Sequence, residues 1–301
     1  MFGPHVAQTT LPVHDAMTVA DALAAARHAF DGIDGRVLLR HATGLNEAEL
    51  IAHPERRLTF AERQTFEHFI ARRMAGEPLA YLIGEREFFG RVFKVTSSVL
   101  IPRPETELLV EVALTHLPVE RPSRVVDLGT GSGCIAISIA CEWPLARVIA
   151  TDISAPALLV ACDNARALGA DNVEFVCGDW LVPLKAGNFD MIVANPPYVA
   201  AADPHLKHLR CEPVSALISG NDGLDAIRAI TAVAPRYLKE NGWLVLEHGY
   251  DQAECCRALL ASGGFKDVFS RRDLARIERI SGGCLRAGTV TSQTNQCFCR
   301  A

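Results

Sequence analysis

No stretch of this 301-residue chain is both long and apolar. Its longest apolar runs, such as Cys134–Ala140 and Met191–Ala194, fall far short of the roughly 20 residues that a membrane-spanning helix needs, so a soluble protein with no membrane partner is expected. An excess of positive charge is missing as well. Thirty Lys and Arg against 35 Asp and Glu leave a formal net charge of −5, which argues against a broad basic face for stable nucleic-acid binding. Residues 1–17 contain neither Lys nor Arg and no continuous apolar block. Neither a secretory signal nor an Arg-rich transit peptide is therefore expected, and the cytoplasm is the default location. The ten cysteines never form a CxxC pair, and cytosolic thiols stay reduced, so neither a disulfide framework nor a metal site is expected. Cys134, Cys162 and Cys177 lie in apolar runs and read as small core residues. Internal repeats and low-complexity tracts are absent too.

What is present is enough apolar content, 49% of residues, to bury a core, in a length that suits two domains. From Thr18 to about Gly76 the apolar spacing is helical. Ala22, Leu23, Ala26 and Phe30 form one stripe, Val37, Leu38 and Leu39 another, and Phe66, Phe69 and Ile70 a third. Thr59 followed by Glu62 fits a capping box that opens the last helix. A small helical domain over 17–80 follows, readable either as a structural appendage or as a substrate-docking element.

Between Tyr81 and Ile101 aromatic and β-branched residues surround Gly90, which predicts a β-hairpin. Pro102 and Pro104 cannot sit inside a helix, so the junction, a hairpin and linker over 81–104, is placed here. A helix is expected from Glu105 to Leu117. Then strands at Arg124–Leu128, Ala146–Asp152, Val173–Gly178, Phe189–Asn195 and Trp243–Glu247 alternate with helices at Cys134–Cys141, Ala155–Leu168, Leu224–Val233 and Gln252–Ser262. That alternation predicts an α/β domain over 105–283 with a doubly wound, mostly parallel sheet and ligands beyond the carboxyl ends of its strands. From Ser281 the periodicity is lost, and a disordered tail is expected over 284–301.

The strand Val125–Leu128 runs into Gly129-Thr130-Gly131-Ser132-Gly133 and then a helix. Three glycines let the backbone bend tightly and approach a ligand without Cβ obstruction. A dinucleotide fingerprint would place its third glycine at 134, where this chain has Cys134. The spacing after Asp127 favours S-adenosyl-L-methionine instead. Asp152, ending the second strand, has two oxygens to accept from both ribose hydroxyls, or it caps the following helix. Asp179 and Trp180 suit an adenine amino group and ring, or form a surface turn. Asn195-Pro196-Pro197-Tyr198 closes the fourth strand. A planar nitrogen is a poor nucleophile, and the Asn195 side-chain oxygen and Pro196 carbonyl can each take one N–H and aim its lone pair. The prolines stiffen that corner, and Tyr198 can cover the acceptor. The four residues mark methyl transfer to a planar nitrogen, either a base amino group or a glutamine amide.

At this point the chain resembles the HemK-type protein-(glutamine-N5) methyltransferases, which modify the Gly-Gly-Gln loop of peptide chain release factors. The resemblance covers roughly residues 20–280. It is carried by Glu77-Pro78, Tyr81-Leu-Ile-Gly84, Phe88-Phe89-Gly90, Leu100-Ile-Pro-Arg-Pro-Glu-Thr-Glu107, the glycine turn and Asn195–Tyr198. Glu212-Pro213, Ala216-Leu217, Asp222-Gly223-Leu224, Glu247-His248-Gly249, Gln252 and Arg272-Asp273-Leu274 continue it. The resemblance implies a seven-stranded class I methyltransferase sheet preceded by a small helical domain and a β-hairpin. It also implies S-adenosyl-L-methionine on Gly129–Gly133, Asp152 and Trp180, and the substrate glutamine on Asn195–Tyr198, with the helical domain engaging the release factor. Arg103 and Glu105 either organise the loop over the site or form a structural ion pair. Ala80, Cys211 and the cysteine-bearing tail beyond Gly283 depart from the family pattern. Two related activities share the four-residue motif: methylation of a ribosomal-protein glutamine and of a nucleic-acid adenine N6. A non-catalytic cofactor-binding adaptor would have no need of it.

Overall fold

The computed structural model describes residues 17–29, 32–118, 121–187 and 189–286. Phe30 and the tail with Cys297 and Cys299 lie outside them. The chain divides into two compact units, 1–84 and 85–301. The first unit is helical, with α1 (Val19–Ala29), α2 (Gly32–Thr43), α3 (Glu47–Ala52), α4 (Phe60–Met74) and α5 (Leu79–Ile83). Asn46 with Glu49 and Thr59 with Glu62 each form a reciprocal capping box that fixes the start of α3 and α4. Val19, Ala22 and Ala26 meet Leu38, Leu39, Phe66 and Phe69 in one core. Tyr81 belongs to α5, not to the hairpin expected from that point. Gly84, at φ 77°, ends the helix in a left-handed cap, and the hairpin begins one residue later.

The second unit opens with that hairpin, β1 (Glu85–Phe88) and β2 (Arg91–Lys94), followed by α6 (Pro104–His116). Next come β3 (Ser123–Leu128), α7 (Cys134–Glu142), β4 (Ala146–Asp152), α8 (Ala155–Leu168), β5 (Val173–Cys177) and β6 (Phe189–Ala194). The unit closes with α9 (Asp225–Val233), β7 (Leu238–Glu247), α10 (Ala253–Ser262), β8 (Lys266–Arg272) and β9 (Glu278–Leu285). Seven strands form one sheet in the order β5-β4-β3-β6-β7-β9-β8. Neighbours from β5 to β7 are parallel, and β9 runs antiparallel to both β7 and β8.

Side chains alternate across this sheet, as strand geometry requires. Val125, Met191, Val193 and Val245 face α6 and α7 in one core, while Val126, Ile192, Leu244 and Leu246 face α9 and α10 in the other. Because both faces are covered, β6 is buried along its whole length, and its Met191–Ala194 stretch reads as a continuous apolar run. α7 is likewise buried from Cys134 to Ala140. Each enclosed isoleucine there contributes about 1.5–3 kcal/mol by leaving water. The chain runs outward from β3 to β5 and returns to β6 beside β3, so the strand order reverses there. That reversal opens a crevice at the carboxyl ends of β3, β4 and β6.

Two expectations need correction. Ser281–Leu285, read as the start of an aperiodic tail, form most of β9. The Ser-Gly-Gly sequence hides the strand because small residues are required there: a Cβ on Gly282 would come within 2.8 Å of the Phe269 ring and 2.9 Å of the Leu244 carbonyl. Of the three cysteines read as core, only Cys134 is buried, whereas Cys162 is half-buried and Cys177 exposed. Cys177 lies on β5, an edge strand of the sheet.

Candidate active site

The glycine turn follows directly from β3. Gly129, Gly131 and Gly133 have φ of 71°, 56° and 82°, conformations that side chains other than glycine seldom tolerate. The backbone N–H groups of Gly129 and Thr130 both donate to the Thr151 carbonyl, at 2.8 and 2.9 Å, which ties the turn to β4. The Thr130 hydroxyl donates to Asp127 at 2.6 Å. Asp127 is wholly buried, and burial pushes its carboxyl up to about 7.

Asp152 ends β4 and accepts one backbone N–H on each oxygen, from Gly131 at 2.9 Å and from Ser154 at 2.8 Å. The N-cap of α8 is Ser154, not Asp152. A carboxylate oxygen takes two donors, so each oxygen of Asp152 keeps one acceptor position. Trp180 adopts φ of 43°, a strained value for a bulky residue. Its ring passes so close to Gly129 that a Cβ there would meet it at 3.2 Å. Asp179 is exposed and starts a turn, its carbonyl accepting from Val182.

These residues surround a cavity of about 300 Å³, whose lining includes Gly129–Ser132, Asp152, Asp179, Trp180, Asn195 and Pro197. Gly133 is not in the lining. It caps α7, where a Cβ would strike Ile137 at 2.7 Å. A second cavity of about 320 Å³ is lined by Tyr198, Glu247, Glu105 and Arg279 among others, and it shares Leu100, Arg103, Asn195 and Ala216 with the first. Pro196 is buried and lines neither.

Asn195 therefore stands in the wall between two cavities. Its Nδ2 donates to the Thr106 hydroxyl at 3.1 Å, while its buried Oδ1 has no hydrogen-bond partner. An acceptor stripped of water and left unpaired costs about 1–3 kcal/mol, so it marks a place where a donor belongs. The Tyr198 corner is held from behind. Gln252 donates to the Tyr198 carbonyl at 3.0 Å and accepts from the Gly249 N–H at 2.8 Å. The Tyr198 hydroxyl donates to Glu247 at 3.3 Å. Arg103 pairs with the buried Glu212, which also accepts from the Ile101 N–H at 3.1 Å. The ion pair thus fastens the 101–103 segment across the site, which joins the two roles open for Arg103.

Thr106, Glu212, Glu247 and Gln252 carry no role in the sequence reading although they lie within its quoted motifs. Each has a partner 49 to 111 residues away, and local pattern cannot show such pairs. Among the described residues, no group of three or more His, Cys, Asp or Glu is placed to hold a metal ion, and no helix is long and apolar enough to cross a membrane.

A parallel sheet with its order reversing beside a glycine turn, an acid after the next strand and an Asn-Pro-Pro-Tyr corner define a class I methyltransferase. A solved methyltransferase from Pyrococcus furiosus shares this fold, with a TM-score of 0.51 at 16% identity over 76% of this chain and 100% of that one. Residues 17–84 match the PrmC N-terminal domain family, and residues 105–210 match the methyltransferase small domain. A release factor glutamine methyltransferase of Xylella fastidiosa (strain 9a5c) is 49% identical over 87% of this chain and 96% of its own length. One of Bordetella pertussis is 51% identical over 84% of this chain and 94% of its own. The chain belongs to the release factor glutamine methyltransferase family.

Proposed function

We propose that this chain methylates the side-chain amide nitrogen, N5, of the glutamine in the Gly-Gly-Gln motif of a peptide chain release factor, using S-adenosyl-L-methionine. The observation that carries this is Asn195, which presents an unpartnered buried oxygen in the wall shared by two cavities. A carboxamide nitrogen has two hydrogens to give. Asn195 Oδ1 takes one and the Pro196 carbonyl the other, which turns the nitrogen lone pair toward the first cavity. Thr106 fixes the Asn195 amide so that oxygen, not nitrogen, faces the substrate. Tyr198, held through its carbonyl by Gln252 and through its hydroxyl by Glu247, covers the planar group and excludes water.

The first cavity suits the methyl donor. Gly129, Thr130, Gly131 and Ser132 line it in a turn that Gly133 closes onto α7, Asp152 has acceptor positions left for two ribose hydroxyls, Trp180 offers a ring for the base and Asp179 an acceptor at the rim. When bound there, S-adenosyl-L-methionine supplies a methyl group on a positively charged sulfur. The helical unit, 17–84, is assigned to docking the release factor, a substrate met in the cytoplasm.

The test is incubation with labelled S-adenosyl-L-methionine and, separately, a release factor, a large-subunit ribosomal protein and duplex DNA. Label on the Gly-Gly-Gln glutamine of the release factor, located by peptide mass, is the expected result. Label only on the ribosomal protein or the DNA refutes the assignment. Asn195→Ala is expected to abolish transfer while retaining cofactor binding.

A further inference from the structure

We propose that Glu247 is the proton acceptor of the reaction, receiving through the Tyr198 hydroxyl the hydrogen that the substrate amide loses as its nitrogen is methylated. This deepens the function proposed above and rests on it. Glu247 ends β7, is 1% exposed and lines the second cavity together with Asn195 and Tyr198. Its Oε1 accepts from the Tyr198 hydroxyl at 3.3 Å, and its buried Oε2 has no partner. A carboxylate is among the most costly groups to enclose unpaired, and Arg279, which lines the same cavity, pairs with Asp273 instead. The packing that encloses Glu247 therefore makes sense if the group works with a proton.

The reaction has one to dispose of. The nitrogen lone pair forms the N–C bond, the C–S bond breaks with its electrons staying on sulfur, and the positive charge passes to the methylated amide. That species must release an N–H proton. Neither Asn195 Oδ1 nor the Pro196 carbonyl retains a proton near neutral pH, whereas a carboxylate can. One N–H of the methylated amide leaves its acceptor and passes its hydrogen to the Tyr198 hydroxyl, which hands its own to Oε1, leaving Glu247 neutral and tyrosine unchanged. No oxidant or reductant enters.

The surroundings tune Glu247 for this. Burial pushes its carboxyl up to about 7, opposed by the Thr106 and Tyr198 hydroxyls and by Arg279 on β9, and reinforced by Glu105 on α6. Arg103 acts on the neighbouring Tyr198 and Cys134 of α7 faces Glu247 as a thiol, itself pushed up to about 12 by burial. A base is most effective with its pKa near the working pH.

Glu247→Gln keeps an oxygen for Tyr198 but cannot take a proton. General-base removal commonly costs about 10²- to 10⁴-fold. We expect kcat for release-factor methylation to fall at least about tenfold on that scale, with the cofactor Kd changed by less than about threefold. In the unaltered protein kcat should rise to a plateau above about pH 7, and that limb should vanish in Glu247→Gln. In the cofactor-free protein, the infrared absorption of protonated carboxyls titrating in the same range should lose one component on this substitution, with that of Asp127 remaining. If Glu247→Gln does not fold, Tyr198→Phe, which breaks the relay and keeps the ring, should lower kcat in the same way. A Glu247→Gln or Tyr198→Phe kcat within about twofold of the unaltered protein, or a flat profile between about pH 5.5 and 8.5, would overturn the assignment. No transfer by the unaltered protein to any release factor would instead overturn the function itself, and this assignment with it.

Discussion

Replacing Thr106 by valine tests what fixes the Asn195 amide. Valine has nearly the shape of threonine but cannot accept the hydrogen bond that Nδ2 now makes at 3.1 Å within a 2%-exposed site. With its partner gone, the amide gains by turning over, because its oxygen already lacks a partner and its N–H groups then find the cavity. Turned over, it offers a donor to the two donors of a carboxamide. Restoring the productive orientation requires burying an unpaired N–H, at about 1–3 kcal/mol. That corresponds to about 5- to 150-fold in kcat/KM. Initial-rate methylation of a release factor would read this, alongside calorimetric titration of the cofactor, whose affinity should change little. A Thr106→Val enzyme with unaltered kcat/KM would refute the role given to Thr106.

Gly223→Ala should lower both stability and turnover: at φ 77°, its new Cβ would fall onto the Tyr198 carbonyl and come within 2.6 Å of Gln252 Nε2. Thermal unfolding and single-turnover transfer would show the two effects together, with a stability loss of about 1–3 kcal/mol. Asp152→Asn should weaken the cofactor Kd about tenfold or more on calorimetric titration, because only one of its two side-chain atoms could then accept from Gly131 or Ser154 and none of the charge remains for the ribose. Stability should fall between acid and neutral pH. Burial lifts Glu247 from 4.5 and Asp127 from 3.8, each to about 7. Raised values mean that the folded protein holds protons the unfolded chain gives up, so this stabilisation is complete below the unfolded values and is lost as pH rises to about 7. Urea midpoints at about pH 5 and pH 8 should differ less in Glu247→Gln than in the unaltered protein, with the remainder left by Asp127.

Much of the fold is written locally. The glycines at 129, 131 and 133, the Val- and Ile-rich runs and the helical stripes each follow from spacing within a few residues. β4 and α8 fall within the very bounds that spacing predicts, Ala146–Asp152 and Ala155–Leu168. The Asn195–Tyr198 corner is legible as well, because its four residues are consecutive. Thr106, Glu247 and Gln252 meet partners brought near only when the sheet assembles, which the motifs they lie in cannot show. β8 and β9 escaped for different reasons: Lys266–Arg272 carries charge at its exposed positions on a sheet edge, and Glu278–Leu285 carries glycine where packing leaves no room for more.

That missing bulk on β9 also sets a register. Phe269 of β8 lies directly opposite Gly282, like a peg over a socket with space for a hydrogen atom alone. A slip by one residue would turn every β9 side chain to the opposite face, and Arg279, three residues before the socket, would leave the cavity that holds Asn195 and Glu247. The placing of the Arg279 guanidinium on that cavity is thus decided by a glycine remote from it, and enlarging that glycine should disturb the charge there.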